Sequence, residues 1–259
     1  MRYLAIAFGF SIVTSASAAI LVPIAGPTEL VMNGGFESTS YTANHEFGAV
    51  SSFTAPQSSQ GVTGWTGNGG YNLYFFGGTQ TTVGATSRYG GTREKLYPSA
   101  NQLSPNGGNF VALDGDSTIR GGISQNVQNF IVGQQYVLSF YWAGAQLISA
   151  SGATTDSLNV QVGNDLSTTT NVVANASTGF VPWMLQTYQF TATSASELLT
   201  FLSVGTPNGA PPIALLDGVS IKQAVPEPAT FGVVTAGLAL VGFVRLRRRV
   251  SKTSARSVA

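Results

Sequence analysis

Between residues 134 and 143 apolar and polar side chains alternate, so that Tyr136, Leu138, Phe140 and Trp142 fall on one face. A period of two belongs to a strand half-buried in a sheet. Leu158, Val160 and Val162 repeat the pattern, and residues 198–204 and 213–221 carry it again. Shorter segments at 30–36, 71–76, 109–113 and 123–127 read as further strands. No stretch between the two ends of the chain shows a persuasive 3.6-residue period. Asn33-Gly34-Gly35, Asn68-Gly69-Gly70, Asn106-Gly107-Gly108 and Asn208-Gly209 lie between the candidate strands. Asn and Gly tolerate positive φ, so these are turns and not phosphate cradles. Many short strands with polar connections predict an all-β sandwich, of the jelly-roll kind. The long connections at 39–60 and 77–105 are expected as loops at one end of it.

The pattern changes at both ends. Met1-Arg2, an apolar core from Leu4, and the small residues Ala16-Ser17-Ala18 form a secretory signal peptide over residues 1–18. At the other end come Val225-Pro226-Glu227-Pro228, an unbroken apolar run from Ala229, and Arg245-Leu246-Arg247-Arg248-Arg249. Sixteen apolar residues, 229–244, span roughly 24 Å as a helix, a little less than a bilayer's hydrocarbon core. Arg245 can snorkel to the interface, which extends the predicted transmembrane helix to 229–246. The arginines then stay cytoplasmic, with 251–259 as a basic tail. The two prolines keep the preceding segment extended and accessible to a processing enzyme.

Setting these ends aside reverses the charge. The whole chain carries +1. Residues 19–225 hold five Lys and Arg against ten Asp and Glu, a net of 5 − 10 = −5. No basic patch remains, and nucleic acid is not an expected partner. The chain has 0 cysteines, so neither disulfides nor thiolate metal sites are available.

Two resemblances follow. The Pro226-Glu227-Pro228 motif, the short apolar helix and Arg247, Arg248 and Arg249 look like a PEP-CTERM sorting signal at 225–250, a family of Gram-negative bacteria that make extracellular polysaccharide. The resemblance implies recognition and cleavage by exosortase near Pro-Glu-Pro, with those six residues as the sorting motif. Within residues 19–224, the order of segments from Asn33-Gly34-Gly35-Phe36-Glu37 through Gly64-Trp65, Asn109-Phe110-Val111-Ala112-Leu113-Asp114-Gly115 and Gly122-Ile123-Ser124-Gln125 to Leu216-Asp217-Gly218-Val219 is similar to galactose-binding-like jelly rolls. That fold often binds carbohydrate.

By strand parity Asp217 shares a face with Ile213, Leu215, Val219 and Ile221. A bare carboxylate on a core face is costly. The jelly-roll resemblance implies one answer, a structural Ca²⁺ held by Glu37 and Asp217, although Gly218 stands where such modules often have a second Asp. The other answer is a bulge at Asp217-Gly218 that turns the carboxylate outward. Trp65, Tyr71 and Tyr74 are candidate rings for stacking on a sugar. Phe140 and Trp142 read as core. Asp114-Gly115-Asp116-Ser117 lacks the full calcium-loop pattern and reads as a turn. His45, the chain's single histidine, reads as a loop residue without partners for zinc or a triad.

The expected function is an exported, non-catalytic protein that binds or organises extracellular polysaccharide or biofilm matrix. Its partners are signal peptidase and the secretion machinery, the membrane, exosortase and polysaccharide. It begins as a single-pass inner-membrane precursor and ends at the cell surface or in the matrix. An adhesive protein without a small ligand is the alternative. A glycan-active enzyme would need two acids facing across a groove, roughly 5–10 Å apart.

Overall fold

The computed structural model describes residues 28–47, 61–86, 94–210 and 212–224. The signal peptide, the sorting motif Pro226, Glu227, Pro228, Arg247, Arg248 and Arg249, the transmembrane helix and the basic tail all lie outside the described residues. Within them the chain forms β1 (His45–Glu46), β2 (Thr66–Gly67), β3 (Asn72–Phe75), β4 (Phe110–Asp114), β5 (Gly122–Gln128), β6 (Gln135–Gln146), β7 (Thr154–Val162), β8 (Leu166–Thr169), β9 (Val173–Asn175), β10 (Val181–Thr191), β11 (Ser196–Thr206) and β12 (Pro212–Gln223). One sheet has the order β1-β3-β4-β12-β6-β10 and the other β2-β5-β11-β7-β8, with β9 also on β7. The paired strands run antiparallel. The all-β two-sheet sandwich predicted from alternation is the architecture found.

The main core lies between the sheets. Leu138, Phe140 and Trp142 of β6 meet Leu158, Val160 and Val162 of β7 and Leu199 and Phe201 of β11 there, all fully buried. Phe140 and Phe201 pack edge to face, with centroids 5.0 Å apart and planes at 80°, a favoured quadrupole arrangement.

A second core covers the opposite face of the six-stranded sheet. Leu73, Phe75, Phe110, Ala112, Ala143, Ala145, Ile213 and Leu215 point away from the main core, and Ala85, Leu96 and Ala100 pack over them. Those last three belong to the connection expected to hang at one end. Instead, Leu96 bridges to Leu147, and the described parts of 77–105 lie against the sheet. Both faces of β3 and β4 are therefore buried throughout. Strands buried on both sides read as continuous apolar runs, which explains why their alternation is faint in the sequence.

The expected strand at 30–36 is not one. Glu29 bridges to Lys222, then the chain turns, with Asn33 at φ 53° and Phe36 at φ 57°. This turn presses on β12: the Val219 amide donates to the Gly34 carbonyl at 2.9 Å. A Cβ on Gly34 would stand 1.8 Å from the Val219 carbonyl oxygen, so only glycine fits this contact.

Candidate functional site

Asp217 sits at a break in β12. The register against β6 shifts between Asp217 and Ser220, and Gly218 has φ 59°. The bulge is present, yet the carboxylate does not turn outward: Asp217 is 0% exposed. Parity holds only up to the bulge. Ile213 and Leu215 face the second core as Asp217's parity requires, but Val219 and Ile221 have crossed to the main core. The extra residue of a bulge flips the alternation beyond it.

Around Asp217 the structure gathers the residues that the sequence nominated and two that it did not. Glu37 follows the first turn, and its carboxylate accepts from the Asn109 backbone amide at 2.7 Å and side-chain amide at 2.9 Å. The Asn106 side chain donates to Asp217 Oδ1 at 3.4 Å, and the Gly218 amide reaches the same oxygen at 2.6 Å. Asp217 Oδ2 is buried with no hydrogen-bond partner. Burial pushes the Asp217 carboxyl up to about 7; the Ser104 hydroxyl and the Gly218 and Asn106 amides favour its charged form, while the Glu37 charge opposes it. Two carboxylates, an orphaned buried oxygen and a nearby hydroxyl make a donor set that fits a hard, oxygen-seeking cation. Ser104 and Asn106 escaped the sequence analysis because they lie more than a hundred residues from Asp217.

The three candidate sugar-stacking rings are core residues. Trp65 and Tyr74 are 0% exposed and Tyr71 is 3% exposed. Trp65 lies against Phe36 and Phe201, and its indole nitrogen donates to the Asn33 carbonyl at 3.0 Å. The Tyr74 hydroxyl donates to the Phe36 carbonyl at 3.0 Å, and burial pushes its pKa up. The glycine-rich loop before Trp65 folds over the ring instead of offering it to solvent.

Asp114-Gly115-Asp116-Ser117 is the turn expected. Asp114 Oδ1 accepts from the Asp116 amide, and Asp116 accepts from Thr118 and Gly209. His45 is half-buried in β1, its ring stacked on Tyr41 at 4.5 Å. Among the described residues no three His, Cys, Asp or Glu side chains group as a metal cluster.

The solvent face of the sheet β2-β5-β11-β7-β8 carries a feature that the sequence analysis missed. A groove of about 540 Å³ is lined by Asn68, Asn159, Gln161, Ser167, Thr169, Thr200 and Leu202, with Thr168 beside them. The strand register sets polar side chains in rows across the sheet. Thr66 lies opposite Ser124, Ser124 opposite Thr200, Thr200 opposite Gln161, and Gln161 opposite Ser167. The next row runs from Leu202 through Asn159 to Thr169. Successive members stand about 4.8 Å apart, the spacing of strands. Two amides are fixed by their oxygens: Ser124 Oγ donates to Asn68 Oδ1 at 2.7 Å, and Thr169 Oγ1 to Asn159 Oδ1 at 2.9 Å. Their NH₂ groups remain as donors. No lining residue is charged or aromatic. The signal was legible as the polar half of each alternation, but polar faces are ordinarily just wet.

Comparison with known proteins gives three kinds of likeness. Residues 224–249 match the PEP-CTERM protein-sorting motif. Halomucin of Haloquadratum walsbyi (strain DSM 16790 / HBSQ001) is 26% identical over 196 residues, 75% of this chain but 2% of that protein; the chain thus spans a small fraction of that relative. Among solved structures, TmCBM61 in complex with β-1,4-galactotriose is similar at a TM-score of 0.36 and 11% identity, over 76% of this chain and 99% of that one. The C-terminal family 22 carbohydrate-binding module of Clostridium thermocellum Xyn10B is similar at a TM-score of 0.35 and 14% identity, over 72% and 96%.

Three buried acids set the pH response of the fold. Burial pushes Asp217 and Asp114 up to about 7 and Asp156 up to about 8, the last with a further rise from the Asp114 charge. Both Asp156 oxygens are buried without a hydrogen-bond partner. These groups hold protons more tightly folded than unfolded, where the value is 3.8. Their stabilisation is full below that value and is lost as pH rises through 7 to 8. In chelator, urea unfolding at pH 8 should give a stability at least about 2 kcal/mol below that at pH 5, and Asp156→Asn should flatten the slope. A stability that rises across this window contradicts the assignment.

Proposed function

We propose that the protein is an exported, non-catalytic polysaccharide-binding protein, delivered through its C-terminal sorting signal. The observation that carries the binding half is the uncharged groove on the sheet β2-β5-β11-β7-β8. Sugar hydroxyls both donate and accept, and rows of carboxamides and hydroxyls complement them without displacing a strongly hydrated charge. Gln161 and Thr200 face solvent from adjacent strands, so their side chains are placed to bond a ligand. No carboxylate lines the groove, which favours binding over glycoside hydrolysis there, because that chemistry needs an acid pair. The groove replaces the buried rings of Trp65, Tyr71 and Tyr74 as the ligand surface.

The delivery half rests on the match at 224–249 together with the apolar run and arginines that follow Pro228. In this reading the chain passes from the secretion machinery and signal peptidase to a single-pass inner-membrane precursor. Exosortase then cuts near Pro226-Glu227-Pro228, and the sandwich reaches the cell surface or the biofilm matrix. Glu37 and Asp217 hold one structural Ca²⁺, which would join the first turn to β12 and neutralise the buried carboxylate.

Three measurements test these readings. Replacing Gln161 or Thr200 with Ala should weaken binding of the full chain to neutral oligosaccharides about fivefold for each lost hydrogen bond, without a change in melting temperature; equal retention of both variants on a glycan affinity gel removes the groove from the argument. Millimolar CaCl₂ should raise the melting temperature of the full chain at pH 7 by several degrees, and Asp217→Asn should abolish the response. An identical calcium shift in that variant excludes the site. Replacing Glu227 or deleting residues 247–249 should leave uncut precursor in the inner membrane, read by fractionation and intact mass; unchanged processing of both contradicts the sorting role.

A further inference from the structure

The six-stranded sheet ends on one side in a long, open strand. β10 covers 11 residues and pairs only with β6 in its sheet. Its backbone polarity can be read from its neighbours. The Ala192 amide donates to the Gln134 carbonyl at 3.0 Å, and the Ala192 carbonyl accepts from Gly133 at 2.8 Å. Gln135, opposite Thr191, instead gives its carbonyl to Ala224 of the chain leaving β12. Antiparallel alternation then turns Phe190, Tyr188, Gln186 and Met184 toward β6, and leaves the amides and carbonyls of Leu185, Thr187, Gln189 and Thr191 directed outward. Among the described residues nothing pairs with them.

Such an edge ordinarily carries protection: a lysine, an inward charge, a short length or a covering element. From Val181 to Thr191 there is no charged residue. Pro182 and the register shift between Val181 and Met184 interrupt only the first part. Leu185 to Thr191 keeps unbroken register with β6, and Leu185 is 55% exposed.

We propose that this edge pairs with β10 of a second copy of the chain, antiparallel about a two-fold axis at Tyr188. Two features identify the occupant. Residues 19–225 carry −5, so copies repel over most of their surfaces, whereas this edge opposes no charge to itself. The faces are also self-matching. Pairing about Tyr188 sets Thr187 opposite Gln189 and Leu185 opposite Thr191 on the solvent face. On the inner face it sets Tyr188 opposite Tyr188 of the second copy. Met184 and Tyr188 are partly buried at the rim of the main core, and the second copy would continue that core across the axis. The interface is isologous and closes as a dimer.

The full chain in detergent micelles, at tens of micromolar, provides the test by light scattering and analytical ultracentrifugation. The wild-type protein should be dimeric. Thr187→Lys places two cations beside the axis, and Thr187→Pro removes an amide that β6 does not use, a substitution that edge strands accommodate. Each should weaken dimerisation at least tenfold while circular dichroism and melting temperature stay at wild-type values. Because the protein has 0 cysteines, mixing Thr187→Cys with Gln189→Cys should give disulfide-linked heterodimer under mild oxidation, and Asn101→Cys should not cross-link. A monomeric wild type overturns the proposal, as does a dimer that persists in the folded Thr187→Lys variant, which would place the contact in the apolar tail or elsewhere.

Discussion

Burial of both faces of β3 and β4, and of the adjoining halves of β12 and β6, is the constraint from which the rest of the molecule follows. One face meets the other sheet through Phe140, Trp142 and Leu216, and the opposite face is covered by Leu96, Ala100 and their neighbours. Where those strands are sealed on both sides, they offer no ligand-sized surface. The groove on the other sheet and the open side of β10 lie outside that sealed region. The covering segment also decides the fate of the aromatic residues. Tyr71 and Phe75 pack under it, and Tyr74 turns into the main core, so rings that a looser loop would present to a sugar contribute hydrophobic stabilisation instead.

That same enclosure governs the electrostatics. Asp217 is placed in the middle strand of the sealed sheet, where a free charge is costly. The chain answers with local chemistry: Gly218 allows the bulge, the Gly218 amide meets one oxygen, and the first turn brings Glu37 to the same corner. Asp156 is treated differently. It faces the inner surface at Gly144, where a Cβ would lie 3.0 Å from its Oδ2, so the missing side chain makes room for a carboxyl. Burial pushes Asp156 up to about 8, which favours its neutral form at pH 7, whereas Asp217 has the Glu37 carboxylate and the neutral oxygens of Ser104 and Asn106 beside it.

Alternation made β6, β7, β11 and β12 legible in the sequence, since each has one face in the main core and the period of two survives. Phe110 to Leu113 were recognisable as a strand only by their apolar content. β10 was not found at all. As an edge strand it is exposed on one face and only partly buried on the other, and Trp183 and Leu185 on the outer face with Gln186 on the inner break the alternation. The turn at residues 31–36 was mistaken for a strand because Val31, Met32 and Phe36 are apolar, although Asn33-Gly34-Gly35 already carried the turn. The pairing of Glu37 with Asp217 came through family resemblance. Their partners Asn106 and Ser104 could not, because nothing local marks a side chain that acts across more than a hundred residues.

The groove and the open edge use complementary halves of sheet chemistry. In the groove β11 and β7 are paired on both sides, and the side chains of Asn68, Asn159, Gln161 and Thr200 remain to bond a ligand. At β10 the side chains are unremarkable and the backbone remains. A hydroxyl-rich polymer suits the first, because its own groups match isolated donors and acceptors at strand spacing. Another strand suits the second, because only a repeating main chain matches alternating amides and carbonyls from Leu185 to Thr191. A dimer through β10 would carry two grooves on one rigid assembly. Single sites that rely on hydrogen bonds alone bind weakly, since each bond replaces one to water. Two sites held on one frame gain from effective concentration wherever a polymer can reach both. If the groove binds polysaccharide and the edge pairs as proposed, two weak, uncharged sites on one frame would hold a polymer network together without gripping any one sugar tightly.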